Sequence, residues 1–258
     1  MPASDLALLT EAARAAGEIA LRYWRKRPDI WDKPGGAGPV TEADLAVNAM
    51  LHAELGASRP DYGWLSEETP DDRARLGRGR SFIVDPIDGT RAFIEGDASF
   101  AHSLAVADAG RITAAVVYLP ARQALYAATE TDAATLNGRP IRASGRTDAA
   151  GATLLTSKPS LAPENWREGR APPFRREFRA SLAWRLCLVA EGRFDAMLSL
   201  RPTWEWDIAA GDLIARRAGA RVTDRHGNAI AYNAPEPLAR GIIAAPGPLW
   251  STIRGALR

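Results

Sequence analysis

The 258-residue chain is 46% hydrophobic and 25% charged, which excludes a disordered or fibrous protein and suits one large domain or two small ones. Its 33 basic and 31 acidic side chains leave a net charge of +2, without the basic excess by which nucleic-acid-binding proteins neutralise phosphates. The single cysteine, Cys187, permits no internal disulfide, and His52, His102 and His226 form no zinc signature.

Leu6, Leu9, Ala13, Ala16, Ala20 and Tyr23 recur at steps of three and four, which predicts an amphipathic helix ending before Pro28. Residues 33–39 are too rich in Gly and Pro for regular structure and read as a loop. A second helix follows with Val47, Met50, Leu51 and Leu55 on one side and Gly56 as its stop. Ser81–Val84 reads as a short buried strand, and 103–108, 112–118 and 124–128 as antiparallel strands, with turns at Asp108–Gly110 and Asn137-Gly138. The most apolar stretch, Ser103–Leu119, is broken by Asp108, Gly110 and Arg111, so no membrane span is expected. With no signal-peptide pattern either, a cytoplasmic protein is expected.

The pattern changes near residue 145. A strand at 153–157, a Pro-rich loop around 159–173, a helix over 181–191 closed by Gly192 and an alternating, half-buried strand through Phe194, Ala196, Leu198 and Leu200 come next. A helix over 207–218 and a strand at 220–223 complete the series. Mixed helices and strands in both halves predict a layered α/β architecture with domains at 1–145 and 146–258.

The informative segment is Asp85-Pro86-Ile87-Asp88-Gly89-Thr90, directly after a predicted strand. Pro86 presets its own φ and biases Asp85 towards extended backbone, so the chain is expected to leave the strand in a turn with both carboxylates directed into one site. Taken alone, each acidic group has an ordinary alternative. Asp85 to Gly89 could be a helix-capping turn, Thr41-x-x-Asp44 a capping box, Glu67-Glu68 a solvated loop, and Asp207 an N-cap. These roles do not exclude cation binding, because a capping carboxylate keeps a second oxygen.

Thr41-x-x-Asp44, Ser66-Glu67-Glu68, Asp85-Pro86-Ile87-Asp88-Gly89-Thr90 and Trp206-Asp207-Ile208-Ala209-Ala210-Gly211, with Ala218-Gly219 beyond, resemble in order and spacing the motifs of the inositol monophosphatase family across essentially the whole chain. The resemblance implies an alternating α-β-α-β-α sandwich, a small phosphorylated metabolite as substrate, dependence on two or three Mg²⁺ ions, lithium sensitivity and a homodimer. It implies that Glu67, Asp85 and the Ile87 carbonyl hold one magnesium and Asp85, Asp88 and Asp207 a second. It further implies that the Gly89 and Thr90 amides bind phosphate, and that Asp44, Glu67 and Thr90 are the catalytic residues, with Thr90 and Asp44 orienting the attacking water. Ser66 stands where the family usually has glycine, and Lys33 loosely matches a lysine near the third metal position. Magnesium prefers carboxylates, carbonyls and water over His or Cys, both scarce here.

Cys187–Gly192 and the stretch from Arg201 to Asp207 look more like the bisphosphate nucleotidase branch, so 3′-phosphoadenosine 5′-phosphate is the expected substrate, with Arg201 on its second phosphate. The chain departs from that branch in lacking a glycine between Arg201 and Pro202, in Ile208, and in Arg91-Ala92-Phe93. The alternatives are inositol 1-phosphate, histidinol phosphate, a sugar bisphosphate, or a non-catalytic binding protein on the same fold. Leu186, Val189, Ala190, Trp204 and Trp206 could equally be packing residues.

Overall fold

Ser4 caps α1 (Asp5–Tyr23) by accepting from the Ala7 N–H, and Leu9, Ala12, Ala13, Ala16 and Ala20 bury one face of it. This structure, a computed structural model, describes residues 4–33, 35 and 38–258. Pro34, Gly36 and Ala37 of the expected loop lie outside them, and the flanks of that loop, 30–32 and 39–41, pair as a short antiparallel ribbon. α2 (Glu42–Ser58) follows at once and runs past Gly56, which therefore does not stop it. Leu51 and Leu55 are fully buried, and packing of that face outweighs the modest helix penalty of one glycine.

The larger sheet has seven strands in sequence order: β1 (Gly63–Ser66), β2 (Arg80–Asp88), β3 (Ala101–Asp108), β4 (Arg111–Leu119), β5 (Ala124–Thr129), β6 (Thr135–Leu136) and β7 (Arg139–Pro140). β1 is parallel to β2 and every other pair is antiparallel, with Ala109-Gly110 and Asn137-Gly138 in left-handed turn conformations. The smaller sheet contains β8 (Thr153–Thr156), β9 (Arg175–Glu177), β10 (Ala196–Ser199), β11 (Arg221–Thr223) and β12 (Ile242–Ala245), in the order β9-β8-β10-β12-β11. The remaining helices are α3 (Thr90–Ile94), α4 (Leu182–Ala190), α5 (Glu205–Arg217) and α6 (Gly247–Ala256).

Alternate residues of each strand divide between cores. Phe82, Val84, Leu104 and Val106 face α1 and α2, whereas Ile83, Ala105 and Ala107 join α4, α5, Met197 and Ala244 in a second core. Leu198 and Ile243 from the far face of the smaller sheet pack with Leu249 and Ile253 of α6. The layers therefore alternate α-β-α-β-α. Both faces of the sheets are covered, so β10 is buried throughout instead of alternating as half-buried, the pattern expected from Phe194 to Leu200. No helix among the described residues is long and apolar enough to cross a membrane.

Candidate active site

β2 does not end at Val84. It continues through Asp88, and the pairings Asp85 with Ser103 and Asp88 with Ala101 set three steps of β2 against two of β3, which is a bulge. This corrects the expectation of a turn after Asp85. In a regular strand, residues three apart point to opposite faces, and the extra residue breaks that alternation between the two aspartates. Gly89 then takes φ +97°, and a Cβ there would come within 2.9 Å of the Ser99 carbonyl oxygen, so glycine alone suits the hand-over to α3.

Glu67 follows β1, with its N–H donating to the Val84 carbonyl, and Asp207 lies in the first turn of α5. Asp207 is thus inside the helix and Trp204 holds the N-cap position, contrary to the capping alternative. Glu67, Asp85 and Asp207 each bring a carboxylate oxygen within 4.8 Å of the other two. The Asp85 Oδ1 is buried and has no hydrogen-bond partner. Asp88 stands beside this trio, its Oδ2 accepting from Ser181 Oγ (2.6 Å) and the Ala183 N–H (2.7 Å) at the start of α4.

A second group adjoins it. Thr41 and Asp44 form the expected capping box, with the Asp44 Oδ2 accepting from both the Thr41 N–H and hydroxyl. The remaining oxygen, Oδ1, lies 3.3 Å from the Thr90 hydroxyl, which is also 3.1 Å from the Ile87 carbonyl. The Lys33 ammonium donates at 2.6 Å to both Glu67 and Glu68. Arg201 is exposed, and its charge reaches Asp207.

Burial pushes the Asp85 carboxyl well above the usual carboxylate range, and repulsion from Glu67, Asp88 and Asp207 adds to it. Asp207 shifts the same way, by burial and then by Asp88 and Glu67. Burial lifts Asp88 to about 6 despite its bonds to Ser181 and Ala183, Asp44 to about 6, and Glu68 to about 7. Crowded carboxylates with an unpartnered buried oxygen fit a cation, and an all-oxygen donor set suits a hard one such as Mg²⁺.

Sequence reasoning missed Arg185. Its guanidinium lies over the Phe178 ring at 4.3 Å and donates to the Arg179 and Ala180 carbonyls, close enough to Asp88, Arg201 and Asp207 to feel their charges. Burial lowers its pKa to about 10. Nothing local marks it, because it is one of nine consecutive buried residues of α4. Leu186, Val189 and Ala190 are core residues; Trp206 packs against the same core, and Trp204 stacks on it at 4.8 Å while staying exposed.

A profile of the inositol monophosphatase family matches residues 2–255. The chain belongs to the inositol monophosphatase family. It is 38% identical over 202 residues to an inositol-1-monophosphatase of Rhizobium meliloti, covering 75% of this chain and 74% of that one. It is also 34% identical over 232 residues to the Nus factor SuhB of Escherichia coli, covering 85% and 84%. Among solved structures, the Thermotoga maritima IMPase superposes with a TM-score of 0.83 at 28% identity, covering 95% of this chain and 93% of that one. Members of the family are metal-dependent phosphatases, typically using Mg²⁺, so the chain is a phosphoric monoester hydrolase with a small phosphorylated substrate. These relatives favour the inositol alternative over the nucleotidase reading of the sequence.

Proposed function

We propose that this enzyme hydrolyses inositol 1-phosphate or a closely related polyol monophosphate. The observation that carries the reading is the trio Glu67, Asp85 and Asp207 with its unpartnered Asp85 oxygen, in a chain similar along most of its length to inositol-1-monophosphatases. Glu67, Asp85 and the Ile87 carbonyl would hold one magnesium and Asp85, Asp88 and Asp207 a second, with Lys33 beside a third position. Bound magnesium supplies Lewis-acid neutralisation of the phosphoryl charge and lowers the pKa of water.

The protein's own groups do the positioning. The Gly89 and Thr90 amides receive phosphate oxygens. Asp44 is fixed through its Oδ2 by Thr41, so its Oδ1 can accept the Thr90 proton, leaving the Thr90 oxygen lone pairs to accept a hydrogen bond from the attacking water. Water attacks in line, the phosphorus–oxygen ester bond breaks, and the inositol oxygen takes up a proton. Glu67 completes the proposed catalytic set as a carboxylate that would hold magnesium beside the phosphate. A homodimer in the cytoplasm and division of the chain near residue 145 go with this reading; light scattering and limited proteolysis test them.

One observation favours a second reading. Arg185 and Arg201 lie near each other and near Asp88 and Asp207, with no carboxylate in salt-bridge contact with either among the described residues. Two such guanidiniums suit a second phosphate, as in 3′-phosphoadenosine 5′-phosphate, with Arg201 as the proposed contact. Phosphate release with magnesium from inositol 1-phosphate, the bisphosphate nucleotide and histidinol phosphate distinguishes the readings. A preference for the nucleotide overturns the first; no release from any of them overturns both.

A further inference from the structure

Arg75 and Glu205 are almost completely buried charges outside the acidic trio, and the same two residues, Asn233 and Ala234, lie between them. Arg75 Nη1 donates to Asn233 Oδ1 at 2.7 Å and Nη2 to the Ala234 carbonyl at 2.8 Å. From the other side, Glu205 accepts from the Asn233 N–H at 2.6 Å and the Ala234 N–H at 3.0 Å. A guanidinium thus takes the acceptors of this segment and a carboxylate its donors, through charge-assisted bonds at every contact. Asn233 has φ +59°, a left-handed conformation that asparagine tolerates.

Each end of this strut leads to a member of the trio. Arg75 is anchored by Asp71 and packed on the first residue of β1, where a Cβ on Gly63 would come within 2.7 Å of the Arg75 Cα. β1 ends at Ser66 and delivers Glu67. Glu205 is the first residue of α5, its N–H held by the Pro237 carbonyl, and Asp207 is two residues on. Glu67 and Asp207 come from different layers and make no hydrogen bond to each other, so their mutual distance depends on what joins the larger sheet to the start of α5: the Ser103 hydroxyl, donating to the Trp206 carbonyl at 2.9 Å, ties α5 to β3, and the Arg75–Glu205 strut ties it to β1. We propose that Arg75 and Glu205 are positioning residues which, through Asn233 and Ala234, hold Glu67 and Asp207 at the separation that binds a divalent cation. The inference rests on the metal-ligand reading given above.

Manganese binding to chelator-stripped protein, followed by electron paramagnetic resonance, tests this without reference to turnover. Arg75→Met and Glu205→Gln should each raise the Mn²⁺ dissociation constant by about tenfold, the scale at which residues supporting metal ligands act. The double variant should bind no worse than the weaker single one, because either change cuts the same strut. Asn233→Gly keeps the left-handed backbone and removes only the Arg75 Nη1 contact; it should fold whether or not the buried charges can be replaced, and should weaken binding by about threefold. Variants that melt earlier yet bind Mn²⁺ as tightly as the wild type would assign the strut to stability alone and overturn the proposal. Wild-type protein that binds no Mn²⁺ would overturn the metal-ligand reading as well.

Discussion

The Lys33 ammonium sits 2.6 Å from a carboxylate oxygen of Glu67. Burial alone would lower the Lys33 pKa, but attraction to Glu67, together with the bonds to Glu67 and Glu68, outweighs it and holds the group above its ordinary value. Lys33 is therefore the built-in counter-charge of an acidic cluster. Lys33→Met should destabilise metal-free protein by about 1–3 kcal/mol, below the cost of breaking a fully buried pair because Glu67 is 24% exposed. The same variant should gain more from magnesium than the wild type does. Equal gains in thermal melts would show that the ammonium does not neutralise the cluster.

Magnesium should raise the melting temperature of the chelator-stripped wild type. The unfolded chain has no assembled site, so saturation to about 100 times the dissociation constant adds about 2.7 kcal/mol. For a chain of this size that is a rise of roughly 5–10 °C. A melting temperature unmoved by millimolar magnesium contradicts the assignment of Glu67, Asp85 and Asp207 as ligands.

Asp88→Asn separates the fold from the chemistry. An asparagine carbonyl oxygen can still accept from Ser181 and the Ala183 N–H, so α4 keeps its anchor. The charge is lost, and phosphatase turnover should fall by orders of magnitude while the circular dichroism spectrum stays unchanged. Turnover within about threefold of wild type, only ~0.7 kcal/mol in barrier, rules Asp88 out as a ligand.

Arg201→Ala and Arg185→Gln probe the substrate. If a second phosphate is bound, each should reduce kcat/KM for the bisphosphate nucleotide by roughly 1.5–3 kcal/mol and hardly alter inositol 1-phosphate. Arg185 also bonds backbone carbonyls, so a fall on both substrates in that variant alone would indicate structural support. For Arg201, parallel losses on both substrates would remove it from the second-phosphate role.

His102 should make the protein acid-sensitive. It is fully buried, with Nδ1 against the Pro86 carbonyl and Nε2 unpartnered, and burial lowers its pKa to about 4. Below pH 6.5 the unfolded chain gains a proton that the folded chain refuses until about pH 4. Stability from this group is complete above pH 6.5 and is lost as pH falls towards 4, by up to about 3 kcal/mol. The His102 ring proton resonances, assigned by their loss in His102→Gln, should titrate near pH 4, and the same variant should flatten the slope. A midpoint near 6.5 in folded protein would refute this.

Local chemistry made much of the chain legible before any fold was known. Thr41 and Asp44 cap α2 because the two ends of a capping box are three residues apart, and Asn137-Gly138 turns because both residues accept left-handed backbone. The ordered acidic motifs sufficed for the family and the layer order. Sequence periodicity also found most helices and strands, although α2 ran on through Gly56 once its apolar face was packed.

What the tertiary structure decided were relationships across long separations. The bulge at Asp85 to Asp88 exists only against β3, and α4 brings Ser181 and Arg185 to Asp88 from more than ninety positions away. Arg75 meets Asn233 across 158 residues. Neither end carries a local mark, because a buried arginine and an exposed one look alike in sequence until packing removes the water from one of them. The sequence by itself determined the kinds of oxygen ligand available and the Thr41–Asp44 capping box beside them. Their common location was decided by the stacking of two sheets around α4 and α5, since burial of apolar faces, not any attraction among like-charged carboxylates, brings Glu67, Asp85 and Asp207 together.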